Sequence, residues 1–222
     1  MKRTIKTLAF FLIVTGVFAQ VDKDQLALKI NAADEINTKG LMQYIWKRKS
    51  DVYGDGQLKL TVLTEFSFDE AGKLQAKTVD ASTTIQQKRG LRGRAQQNAM
   101  EDKAEYIEKA LQLSIAYTFM SKGQLLDFMS KATITESPGV IEATASDVYV
   151  KGDKLTVRVD SKTNLYLGKK FSSLLGKDPI DGEVAYEKFS SGVNHATTTV
   201  LNMPAQKMKI DAKNQDYTVR VK

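Results

Sequence analysis

A chain of 222 residues without cysteine has no disulfides to lean on, so its fold must be held by a core. Its length allows one large domain or two small ones. The net charge of +7 is unevenly placed: Lys2, Arg3 and Lys6 supply three charges and Lys88, Arg89, Arg92 and Arg94 the other four, leaving the remainder neutral. That excludes a broadly basic nucleic-acid binder, which spreads cations over a face and adds aromatics for stacking.

The chain opens MKRTIKTLAFFLIVTGVFAQ. A short basic segment, an apolar run from Leu8 to Val17 and small residues at Val17 and Ala19 predict a secretory signal peptide over residues 1–19, cleaved after Ala19. The run is too short to span a bilayer, which needs ~20 apolar residues, and no later stretch is apolar enough. The expectation is a secreted, periplasmic protein, residues 20–222 forming one domain.

Residues 22–38 read as a helix with Leu26, Ile30 and Ala33 on one side, ended by Gly40. Met42 to Tyr53 reads as a strand with Tyr44 and Trp46 on one face. Asp51 to Gly56 resembles the start of a calcium loop, but Tyr53 and Val62 stand where ligands are required, so it reads as a turn between strands. Gln57 to Asp69 alternates cleanly, with Leu58, Leu60, Val62, Phe66 and Phe68 on one face. Asp69 to Lys73 is a hairpin loop, and Leu74 to Val79 returns.

QQKRGLRGRAQQ, residues 86–97, reads as a solvated connector. Its cations Lys88, Arg89, Arg92 and Arg94 are candidates for contact with an anionic lipid surface, at roughly 1 kcal/mol each. Residues 98–121 read as the main helix, with Asn98 as N-cap, Glu101 completing a capping box and Gly123 ending it. Gln124 to Lys131 reads as a second short helix. Val148, Val150, Leu155, Val157 and Val159 then suggest strands around a Lys151–Asp153 turn. Glu183–Phe189, Val193–Leu201 and Lys207–Ala212 follow, with a last turn at Asn214–Asp216 and Tyr217, Val219 and Val221 closing the chain. Strands on both sides of a helical pair, without βαβ alternation, predict an α+β fold: a large curved antiparallel sheet or half-barrel with helices on its concave face.

Chemistry is sparse. His195 is the only histidine, which removes two-His zinc sites and leaves no visible triad. No phosphate loop, GxSxG or HExxH occurs. The pairs Asp34–Glu35, Glu101–Asp102 and Glu105–Glu108 read as solvated helix charge. The sequence implies no cofactor and no metal, and the protein reads as non-enzymatic. Ile107, Leu111, Ile115, Phe119, Met120, Phe128 and Met129, with Phe66 and Phe68 from the sheet, are candidates to line an apolar cavity, because Met and Phe repack readily around ligands. The other reading of these residues is a filled core, in an envelope scaffold that docks a protein partner.

The order of elements, with a strand pair around Asn202-Met203-Pro204-Ala205 near the end of YEKFSSGVNHATTTVLNMPAQKMKI, resembles the LolA/LolB/LppX-like family of envelope lipoprotein carriers and lipid-binding proteins. The family's Arg-Pro-aromatic strand segment has no counterpart, since proline occurs only at Pro138, Pro179 and Pro204. The resemblance implies a half-open antiparallel barrel around an apolar cavity, and a lipid or lipidated envelope partner. No functional residue is carried over from it.

Overall fold

The computed structural model describes residues 22–83 and 91–220, with the backbone alone for 91–100. Among the described residues ten strands form one antiparallel sheet, in the order β3-β2-β1-β10-β9-β8-β7-β6-β5-β4. The strands are β1 (Tyr44–Gly54), β2 (Gln57–Phe68), β3 (Leu74–Thr83), β4 (Thr133–Ser137), β5 (Val140–Ser146), β6 (Lys154–Asp160), β7 (Tyr166–Leu175), β8 (Asp178–Lys188), β9 (Asn194–Met203) and β10 (Met208–Val219). The pairing of β1 with β10 joins the N-terminal meander to the C-terminal one. Three helices, α1 (Lys23–Leu41), α2 (Leu91–Thr118) and α3 (Lys122–Lys131), pack on one face of this curved sheet. The expected α+β arrangement is thus present.

One row of residues crosses the sheet in register. Val52 lies opposite Ile210, Ile210 opposite Leu201, Leu201 opposite Gly182, Gly182 opposite Phe171, Phe171 opposite Leu155, and Leu155 opposite Ala145. Every member is buried, so this row sets the helix-covered face. On it sits the main core, with Ile30, Tyr117, Leu125, Phe128 and Met129 from the helices. A second cluster, Leu41, Trp46, Phe66 and Phe68, gathers where β1 and β2 meet α2; Ile115, Phe119 and Tyr217 pack against it.

Several boundaries differ from expectation. Helix α2 starts at Leu91, so the second half of the expected connector is helical and Asn98 lies inside the helix rather than at its cap. Arg, Leu, Ala and Gln are good helix formers, and they carry the helix back past Gly93. Lys88 and Arg89 lie outside the described residues; Arg92 and Arg94 fall in the first turn of α2. At the other end, α2 stops at Thr118. Ser121 starts α3 with a full capping box to Gln124, so Gly123 sits in α3 and ends nothing.

Val148 and Val150 are not in a strand. The Asp153 carboxylate takes the backbone N–H groups of Val148, Tyr149 and Val150 at 2.6, 2.8 and 3.1 Å, replacing a partner strand. Asn214 is not in a turn either. It is buried inside β10, accepts from Arg48 Nε at 2.9 Å and donates to the Ala196 carbonyl at 2.7 Å. The turn expected before β2 is present: Asp55 and Gly56 have φ of 50° and 75°, the left-handed pair of a tight hairpin.

Candidate functional site

Between the two apolar clusters lies a cleft of about 440 Å³. That falls in the range of small-ligand pockets, ~300–1,000 Å³. Helix α1 faces it with Asp34, Asn37, Thr38 and Leu41, a spacing that puts all four on one side of the helix. The end of α2 contributes Ile115, and the turn after it Phe119 and Met120. The β2–β3 hairpin contributes Phe68 and Leu74, and β7, β8 and β9 contribute Tyr166, Tyr186 and Asn194. One wall is therefore apolar and the floor is polar. A second hollow of about 510 Å³ lies at the rim beside Pro204, where Tyr53, Met203 and Met208 meet the charged side chains of Lys207, Lys209, Asp181 and Asp211.

The floor is fixed by the end of α2. A helix leaves its last carbonyls without backbone partners. Here Ala116 O accepts from Tyr149 Oη at 2.9 Å, while Thr118 O accepts from Lys169 Nζ at 2.7 Å and Tyr186 Oη at 3.1 Å. Lys169 is 1 % exposed, and its ammonium lies 3.9 Å from the centre of the Tyr166 ring. A cation at a helix C-terminus is favourable. Burial nonetheless pulls the Lys169 pKa down to about 8, against a raising influence from Asp34. Burial also raises the Asp34 carboxyl, partly offset by Lys169, and Glu35 adds to the rise. Asp34 is thus no solvated helix charge: it lines the cleft.

On the opposite side, Asn37 and Asn194 clasp α1 to β9. Asn37 Nδ2 donates to Asn194 O at 2.9 Å, and Asn194 N donates to Asn37 Oδ1 at 2.6 Å. His195 also lines the cleft, stacked on Phe189 at 3.8 Å between ring centres and edge-on to Tyr217 at 4.8 Å. Burial lowers its pKa against a raising effect from Glu187, which favours the neutral ring.

The structure distributes the candidate cavity residues. Ile115, Phe119, Met120 and Phe68 line the cleft together. Phe66 is buried in the second cluster; Ile107, Phe128 and Met129 are buried in the main core, and Leu111 packs on it. Asp34, Asn37, Tyr166, Tyr186 and Lys169 escaped the sequence reading. A polar residue at an inward strand position, as at Lys169, was the available signal. Among the described residues no group of His, Asp and Glu could hold a metal ion, and no helix is long and apolar enough to cross a membrane.

Lys169 gives a pH signature. Its pKa is lower folded than unfolded, so between about pH 8 and 10 the unfolded chain binds more protons and stability rises with pH. Lys169→Met should remove that rise and add about 1–2 kcal/mol at neutral pH, since Thr118 O keeps Tyr186 as donor. Urea unfolding of both proteins across this range checks it. Equal pH profiles would show that Lys169 is not desolvated.

No family model and no curated protein matches the chain. Among solved structures it is similar to a DUF1329 family protein from Desulfovibrio piger, at 11% identity and TM-score 0.40, over 90% of this chain and 92% of that one. It is similar to a LolA superfamily protein from Nitrosomonas europaea, at 12% identity and TM-score 0.41, over 88% and 94%. A third is a domain described as that of an outer membrane lipoprotein-sorting protein, from Vibrio parahaemolyticus, at 9% identity and TM-score 0.42, over 87% and 92%. The order of elements on which the expected resemblance rested is present, an open antiparallel sheet with helices across one face.

Proposed function

We propose that the protein is a secreted, non-enzymatic binding protein of the bacterial envelope that holds the acyl chain of a lipid in the cleft between α1, the end of α2 and the β2–β3 hairpin. The observation that carries this reading is the cleft itself: Leu41 and Phe68 of the second cluster, Leu74, Ile115 and Phe119 packed on that cluster, and Met120 of the main core turn an apolar wall to it. Each methylene buried there contributes about 0.8 kcal/mol, so a chain of ten would gain roughly 8 kcal/mol before ordering costs. The predicted leader over residues 1–19 supplies the route to the periplasm, with residues 20–222 as one domain. The basic segment Lys88–Arg94 would sit beside an anionic membrane surface while lipid is exchanged.

The core between α2 and the middle of the sheet is solid around Tyr117, Phe128 and Leu155, which favours a second reading as a protein-docking scaffold. Purifying the full chain from its native envelope and analysing extracted lipid by mass spectrometry separates the two. The carrier reading expects a stoichiometric acylated species. Protein free of lipid, with an unchanged melting temperature on adding acyl lipids, would overturn it.

A further inference from the structure

The cleft's one carboxylate without a partner decides what kind of lipid head fits. Asp34 lines the cleft, yet among the described residues it makes no hydrogen bond and no ion pair. The opposite charge that acts on it, Lys169, does so through space. The ammonium is engaged by Thr118 O and the Tyr166 ring and is not part of the cleft surface. Glu35, the next residue, adds repulsion. The other charged side chain on the cleft, Lys73, is exposed in the β2–β3 turn at the mouth.

Two orientations of an amphiphile can be weighed. With the head at Lys73 and the tail on the floor, methylenes would cover Asp34 and strip the water from a half-buried carboxylate that has no hydrogen-bond partner among the described residues, a costly arrangement. With the head on the floor, Asp34 gains a partner only if that head can donate. A carboxylate there would set like charges together at a half-buried site. The Tyr166 hydroxyl, also without a hydrogen bond among the described residues, can donate or accept and so does not discriminate. Burial holds the Tyr166 and Tyr186 phenols protonated.

We propose that the cleft selects an acyl lipid whose head carries a hydrogen-bond donor, a hydroxyl, amide N–H or ammonium, received by Asp34, and that it discriminates against a free fatty-acid carboxylate. This rests on the lipid-binding reading above. The test uses two probes of equal chain length, radiolabelled 1-monopalmitoylglycerol and palmitate, in equilibrium dialysis with the full chain at neutral pH. The glyceride should bind at least about tenfold more tightly, the worth of one charge-assisted hydrogen bond. Asp34→Asn should bring the two within about twofold, chiefly by improving palmitate. Equal affinities in the wild type would overturn the assignment to Asp34 while leaving a lipid cleft. A preference that persists unchanged in Asp34→Asn would overturn it too. Failure of both lipids to bind would remove the lipid reading and this inference together.

Discussion

Asp153→Ala is expected to lower the unfolding free energy by about 4 kcal/mol. The carboxylate is 1 % exposed and takes four donors: the backbone N–H groups of Val148, Tyr149 and Val150, and the hydroxyl of Tyr117. Alanine leaves all four without it, and a buried donor without an acceptor costs about 1–3 kcal/mol. Tyr117 keeps its contact with Ser173 at 3.0 Å, which limits the loss. The consequence reaches the cleft. Tyr117, with Tyr149, Lys169 and Tyr186, pins the last turn of α2, and its neighbours Ile115, Phe119 and Met120 form part of the apolar wall. Lipid affinity should therefore fall along with stability. Urea unfolding followed by tryptophan fluorescence reads the first effect, since the single tryptophan, Trp46, is buried. A loss below about 1 kcal/mol would mean that the loop 147–153 finds other acceptors.

The same residue predicts the acid limb. Burial acts to raise the Asp153 carboxyl, but the hydrogen bonds from Tyr117 and the three amides outweigh it and hold it below its ordinary value of 3.8. Its stabilisation is complete above the unfolded value and is lost as pH falls through the folded one. Asp153→Asn should flatten that part of the acid denaturation curve.

Gly182→Ala should cost about 3 kcal/mol or more, at the severe end for overpacking. A Cβ at this position would fall 2.1 Å from Phe171 Cζ. The ring cannot move away, because it stacks on Tyr117 with centres 4.0 Å apart and planes 9° from parallel. Glycine here is set by the approach of the ring, not by its backbone angles. A melting temperature lowered by several degrees checks this. A neutral outcome would mean that the Phe171–Tyr117 stack is loose and that the main core is not filled as described.

The sequence was most legible where one face is apolar and the other wet. The alternation of Gln57–Phe68 gave β2, and Asp69–Lys73 gave its hairpin, as found. It was least legible where inward positions are polar. Strand β7 went unseen because its inward residues run Tyr166, Lys169, Phe171 and Ser173, and a lysine in the middle breaks the pattern that marks a strand. Asn214 looked like a turn because Asn favours turns, yet it bridges Arg48 to β9. Arg48 itself is buried over the Phe66 ring, and burial lowers its pKa to about 10. Such partnerships join residues distant in the chain, so no local pattern carries them. The cleft was half legible. Its apolar wall came from Ile115, Phe119, Met120 and Phe68, but its polar side is made by Asp34, Tyr166, Tyr186 and Asn194, which come together only through the fold.

The central claim is that an acyl chain lies against the end of α2. A monoacylglycerol bearing a diazirine at the tip of its chain, irradiated with the full-length protein and followed by peptide mass spectrometry, tests it most directly. Adducts should concentrate on residues 115–121 and 68–74, and an excess of unlabelled lipid should remove them. Adducts scattered over exposed strands such as β3, and indifferent to competitor, would contradict it.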